Sequence, residues 1–373
     1  MGTGLPPSLR VDDSAIYIMQ KDIYVLDSKN GSLQYQHHRS GTSHFSLLHG
    51  IMYVNTTDIH TSLVQAIDSH DGTLLWSYHA KGRLSQCPVI IDNVVYVSIV
   101  EGSIYALQAN NGVLLWYSSI DPGPDIPTYL GPIVTTAPLV IDKIVYLAPG
   151  VNHPLEPFLY AFGSKDGRLL QKIPLPDTSA FSFTIHNGIL YFSNAHSCSA
   201  VRLENGAVLW RWEPEETGQV CSAPIIHNNR VYLAGAELRM ASSGEVTYWW
   251  QAFLCALHVS DGALLWQQSL EDAPSESRPT ELCIINEILY VSTNQGLFSA
   301  YQPDDGSPLW YYQTKGHFQS SPVGMHEVVY IGDDSGSVYA LRASDKELLW
   351  EAAIPLSLTT SADISVKNIQ ENF

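Results

Sequence analysis

Two titratable residues interrupt an otherwise neutral set of positions in this 373-residue chain. Nine residues before a tyrosine that recurs along the sequence stand Ser8, His44, Cys87, Ala137, Ser182, Ala223, Glu281 and Ser321. All are small except His44 and Glu281. An imidazole titrates near neutrality and suits a general base, while a carboxylate can orient a substrate or share its proton. His44 and Glu281 are therefore the candidate catalytic pair. Shortly before these positions stand Arg83, Arg278 and His317, with Gln86 directly preceding Cys87. Arginine's planar fork suits carboxylates and phosphates. Together these residues could form a polar cup for an anion or a polyfunctional small molecule, and Tyr248, Trp249 and Trp250 could wall it. The alternative is that each polar side chain is solvated on a loop and the aromatic trio covers a hydrophobic surface.

Other chemistry lacks its spacing. His37, His38, His44, His79 and His317 fall in segments that could converge, but no H-x-H, H-x-x-x-H or H-E-x-x-H pattern occurs. We expect no metal. No G-x-S-x-G elbow is present. Cys87, Cys198, Cys221, Cys255 and Cys283 include no adjacent or C-x-x-C pair, which suggests buried free thiols and a reducing compartment. A net charge of −18 argues against nucleic acid and against anionic membrane surfaces. No apolar run reaches the roughly 18 residues of a membrane span, so no membrane insertion is expected. The opening MGTGLPPSLRVDD lacks the plan of a secretion leader. A cytoplasmic location is expected, or export if a leader has been removed.

These residues must be held by elements that repeat. VVYVSIVEGSIYALQANNGVLLW (residues 94–116) returns in related form at 52–76, 288–310 and 328–350. Its turn glycine falls at Gly31, Gly72, Gly112, Gly167, Gly206, Gly262 and Gly306, with Lys346 in the last copy. A period of about 40 residues with four short Val-, Ile- and Tyr-rich runs predicts propeller blades. We expect an all-β, eight-bladed β-propeller of four-stranded antiparallel blades, lettered A to D within each blade. One domain would span 1–373, with repeats over about 8–350 and a closing segment at 351–373. Residues 360–366 resemble another strand A and should lie along the first or last blade. Strand D ends in Trp76, Trp116, Trp210, Trp266, Trp310 and Trp350, which should pack between blades. Tyr35 and Gln171 take that place in the first and fourth copies, predicting looser docking.

The pattern A-x-D-x-x-x-G-x-x-x-W, seen as Ala66, Asp68, Gly72 and Trp76, resembles the tryptophan-docking repeat of quinoprotein (PQQ) dehydrogenases. The same repeat belongs to the propeller lipoprotein of bacterial outer-membrane assembly and to sensor-like domains on bacterial kinases. The resemblance implies a PQQ-like propeller and raises the question of a bound quinone. Quinoprotein alcohol dehydrogenases carry a vicinal cysteine disulfide, a calcium site and a catalytic Asp; no Cys-Cys stands here, and no matching motif. No cofactor is expected.

Strand alternation puts the B–C and D–A connections on one face and the A–B and C–D turns on the other. Long insertions at 117–136, 148–157, 235–252 and 271–279 all belong to the first set. Function concentrates in loops on a rigid scaffold. Two functions follow. One is a binding or scaffold module holding a protein, peptide or small molecule on that face; the other is an enzyme with a pocket at the mouth of the central channel.

Overall fold

The computed structural model describes residues 8–19, 22–37, 42–57, 62–120, 136–148, 158–176, 182–214, 218–220, 222–241, 247–270, 276–318, 321–354 and 365–368. These residues form eight antiparallel sheets built as blades, each with strands A to D in chain order. The chain is an all-β, eight-bladed β-propeller. Its residues cluster into two compact units. One holds blade 1, part of blade 5 and blades 6 to 8; the other holds blades 2 to 4 and the rest of blade 5.

The local rules are legible in one blade. Strands A and B of blade 3, Val89–Ile91 and Val94–Ile99, join through Asp92 and Asn93 at φ 51° and 61°. Two positive φ values match the hairpin turn whose twist fits its flanking strands. Strand C, Ser103–Gln108, turns into strand D, Leu114–Ser119, through Asn111 and Gly112. The Asn111 Oδ1 accepts the Val113 amide at 3.0 Å. Leu115 is the extra residue of a bulge that recurs in strand D, because Ala106 faces Trp116 while Leu107 faces Leu114.

Strand D then delivers the docking tryptophan. In the unit holding blades 2 to 4, Trp76 Nε1 donates to the Ala109 carbonyl at 2.7 Å, and Trp116 Nε1 donates to the Ser164 carbonyl at 2.8 Å. In the other unit, Trp210 reaches Val259, Trp266 reaches Pro303, Trp310 reaches Ala343 and Trp350 reaches Ser28. The strand-B tyrosine often shares the acceptor: Tyr232 donates to Pro303 and Tyr330 to Ser28, each at 3.2 Å. Each indole lies against the following blade's C–D turn. A β-carbon on Gly167, which sits at φ +67°, would collide with the Trp116 ring. The glycine is there for the turn and for the indole above it. Lys346 occupies the same turn position at φ 62°.

The fourth blade departs from the rule as expected. Gln171 Nε2 donates to the carbonyls of Leu203 and Glu204 at 3.2 and 3.0 Å, and Pro174 rather than an indole packs against Gly206.

Two expectations change. The insertion at 235–252 is not a loop: strands B and C of blade 6 are Arg230–Ala241 and Thr247–His258, each 12 residues and paired to the end. Alternating apolar and polar residues let the hairpin continue past the blade. A further strand, Gly218–Val220, adds to it, and Gly235 admits the Gln219 carbonyl where a β-carbon would clash. The C-terminal segment lies along the last blade, but not as a strand A. Ser365–Asn368 pairs with the outer edge of blade 8's strand D, Leu348–Ala353, making a fifth strand. Most of the insertions 117–136, 148–157 and 271–279 lies outside the described residues, as do His38 and Cys221.

Candidate functional site

His44 and Glu281 are set apart by their strands as well as their chemistry. They lie in the strands A of blades 2 and 7, Thr42–Leu48 and Pro279–Ile285, which run seven residues. Blades 3, 4, 6 and 8 have three-residue strands A. His44, Arg83 and Gln86 belong to one compact unit; Glu281, Arg278, His317 and the aromatic trio belong to the other.

In the first unit, His44 is half-buried and faces Asn55 in register. Burial lowers the imidazole's pKa, which favours its neutral form. Asn55 Nδ2 donates to the Gln86 carbonyl at 2.7 Å, whereas Asn55 Oδ1 is buried and has no hydrogen-bond partner among the described residues. Arg83 does not join this group through its charge. Its Nε donates to Glu101 at 3.1 Å, and its amide meets the other Glu101 oxygen at 2.9 Å. The pair is exposed, so it fixes a turn more than it stores energy.

In the second unit, Glu281 Oε2 accepts the Ser321 hydroxyl at 2.9 Å. Two of the recurring pre-tyrosine positions thus touch. Burial raises the Glu281 pKa and the Ser321 bond opposes that shift. His317 is exposed, and its backbone exchanges bonds with Asp334. Two of the candidate site residues meet elsewhere: the Arg278 guanidinium lies 4.2 Å from the centre of the Trp250 ring, a cation–π geometry.

Trp250 stands on the extended hairpin of blade 6. Register places Leu238 opposite Trp250 and Met240 opposite Tyr248, so these four share one face. Met240 and Tyr248 are 61% and 60% exposed. The other face carries Glu237, Arg239, Trp249 and Gln251. Glu237 is buried, accepting Gln267 Nε2 at 2.7 Å and pairing with Arg239 Nη2 at 2.5 Å. A buried carboxylate with both oxygens engaged ties the hairpin to strand D. Sequence reasoning found the aromatic trio but missed Leu238, Met240 and Glu237. The alternation over 236–241 and 247–252 was the available signal.

Catalytic thiol chemistry and a quinone site both fit poorly. Burial pushes the Cys198 and Cys255 thiols far up and Cys283 to about 12, so none is a ready thiolate. Among the described residues, no three His, Cys, Asp or Glu side chains group as metal ligands. With no adjacent cysteines in the sequence, these donors do not match the quinone–calcium arrangement the resemblance implies. Among the described residues, no helix is long and apolar enough to cross a membrane.

Comparison with known proteins gives the context. A family profile described as outer membrane protein assembly factor BamB matches residues 19–179 and 251–371. Outer membrane protein assembly factor BamB of Moranella endobia is 23% identical over 326 residues, covering 79% of this chain and 74% of that protein. Tetrathionate hydrolase of Acidithiobacillus ferrooxidans is also 23% identical, over 79% of this chain but only 55% of its own length. The crystal structure of the computationally designed Ika8 protein superposes with a TM-score of 0.69 at 16% identity, covering 90% of this chain and 96% of that one. That likeness concerns the fold alone.

Proposed function

This chain belongs to the family described as outer membrane protein assembly factor BamB, and from that membership we propose a bacterial protein-binding scaffold. The supporting observation is the apolar face of the blade 6 hairpin. Leu238, Met240, Tyr248 and Trp250 line it, and Arg278 lies over Trp250. Trp, Tyr, Met and Arg are enriched at protein interfaces, where rigid aromatic area is gained at small entropic cost. The hairpin is a B–C connection, so it rises on the loop-rich face, and the eight blades act as one domain that holds it. A protein or peptide is the partner favoured over a small molecule. The relatives' names concern the outer membrane, which favours export over the cytoplasmic location expected from composition.

A photo-crosslinking residue at Met240 or Tyr248 tests this in bacteria that carry the protein. We expect a discrete protein adduct in the envelope fraction, and none from the same residue at exposed Leu170 on blade 4. Equal adducts at both places, or a protein confined to the cytosol, would reject the reading.

One observation favours a second reading, an enzyme or small-molecule binder. Asn55 Oδ1 is a buried acceptor without a partner among the described residues, beside half-buried His44. His44 would be the base, with Arg83 and Gln86 of the same unit orienting a ligand. His44→Ala and Arg83→Ala would then each abolish turnover while leaving melting nearly unchanged. Unaltered activity in both variants would dismiss it.

A further inference from the structure

The apolar face of the blade 6 hairpin continues a seam between blades. Tyr232, Ala234, Ala252, Leu254 and Ala256 pack against Leu282, Leu289, Val291 and Tyr301 of blade 7. Residues two apart on a strand share a face. The same face therefore runs on to Leu238 and Met240 on one strand, and to their partners Trp250 and Tyr248 on the other. Blade 7 covers the first part of this face and then ends. Met240 and Tyr248 are exposed, whereas Tyr232 and Leu254 are fully buried. Arg278, directly before strand A of blade 7, reaches the overhang and lies over Trp250.

Arg278 is held in place without an acidic partner. Its amide donates to Asn294 Oδ1 at 2.7 Å, its carbonyl accepts the Asn294 amide at 2.9 Å, and the Trp250 ring supports its guanidinium. The residue is exposed, and among the described residues no carboxylate pairs with it. Arg83, Arg211, Arg230, Arg239 and Arg342 each hold an aspartate or glutamate. Glu237 cannot serve Arg278, because it lies on the opposite face with Gln267 and Arg239. A guanidinium stacked on a ring keeps its N–H edge free for the two oxygens of a carboxylate.

We infer that this overhang binds a segment of a partner protein in which a carboxylate and an apolar side chain stand two residues apart. The inference rests on the scaffold reading of the same hairpin and adds the chemistry of the partner. Arg278 takes the carboxylate, while Met240 and Tyr248 take the apolar side chain. Trp250 and Tyr248 are two residues apart, roughly 7 Å along a strand, and the same interval in an extended partner spans them. The net charge of −18 disfavours a polyanion here. One carboxylate beside an apolar group complements one cation beside an apolar face. The aromatic trio falls outside the residues matched by the family profile, so the shared repeat does not account for it.

The test pans a phage-displayed library of random peptides of about twelve residues, longer than a typical strand, against the purified full chain. We expect the enriched peptides to carry Asp or Glu two positions from an aromatic or aliphatic residue. One of them, labelled with fluorescein, is then titrated by fluorescence anisotropy. Replacing its acidic residue by the amide should weaken binding at least tenfold to the unaltered protein and less than twofold to Arg278→Gln. Arg278→Glu should prefer the same peptide with lysine in the acidic place. Equal loss in the unaltered protein and Arg278→Gln, or an unchanged acidic preference in Arg278→Glu, would overturn the carboxylate assignment. The scaffold reading would survive that failure if the same peptides lose binding to Met240→Asp/Tyr248→Asp. Enrichment of no peptide would overturn the inference, while a discrete cross-link through Tyr248 would still uphold the hairpin as a binding surface. Self-association, or adhesion to phosphatidylglycerol vesicles, that Arg278→Glu abolishes would make a second copy or a membrane the occupant and overturn the partner assignment.

Discussion

Trp116 and Trp250 both stand on strands of a repeated blade, and their surroundings differ in every respect that matters. Trp116 is buried, donates to the Ser164 carbonyl, and lies on a turn whose glycine leaves room for it. Trp250 is half-buried on a projecting hairpin, with exposed Tyr248 and Met240 beside it and a guanidinium over its ring. The first side chain completes a seam between two blades. The second belongs to no such seam and stands on a face whose outer residues, Met240 and Tyr248, are exposed. On the proposed scaffold reading, the same residue type serves stability when the repeat dictates its position and recognition when an insertion does.

Variants at these two places should separate the roles. Trp116→Ala has the largest expected effect, a loss of about 3–5 kcal/mol seen as a clear fall in thermal midpoint, because a buried indole leaves a cavity and an unpaired carbonyl. Gln171→Ala, at the equivalent position of the next blade, should lose about 1 kcal/mol, since two partly exposed amide bonds are all that is removed. Equal shifts for these two would break the docking explanation. Trp250→Ala should lose about 1 kcal/mol or less in chemical denaturation, chiefly the cation–π contact.

Glu281 gives a pH test. Its folded pKa is raised above the unfolded value, so its stabilising contribution is present below the ordinary carboxylate range and is lost as pH rises through the folded pKa. Glu281→Gln should remove that fall, so the two proteins' melting curves diverge as pH rises above the usual range. A constant difference at all pH values would contradict the burial. Lys346→Gly should give the smallest change, a gain below about 1 kcal/mol, because relief at positive φ is partly offset by losing the Tyr311 contact.

The blades were legible because each repeat carries its own turn chemistry. The Asx residue, the glycine at positive φ and the docking tryptophan are local signals that recur together. The replacement at Gln171 was equally readable. The hairpin of blade 6 was not, because its length falls outside the repeat and its Met, Tyr and Trp content also suits a covering loop. The polar cup was the least legible part. Counting back from a tyrosine located His44 and Glu281, but it gave no account of Glu101 taking Arg83 or of Trp250 taking Arg278. Those pairings depend on strand length and on neighbours distant in sequence. The C-terminal strand matched a strand A in pattern because an edge strand and an inner strand share the same alternation.

The most direct test of the scaffold reading pairs binding with stability in Met240→Asp/Tyr248→Asp. The partner that cross-links through Tyr248 is purified and titrated against this variant and the unaltered protein, and both are melted under the same conditions. Binding should fall by at least tenfold while the midpoint stays within about a degree, because both side chains face outward and surface changes of this kind shift stability little. Retained binding, or a midpoint lowered as in Trp116→Ala, would show that the hairpin belongs to the fold and that recognition lies elsewhere.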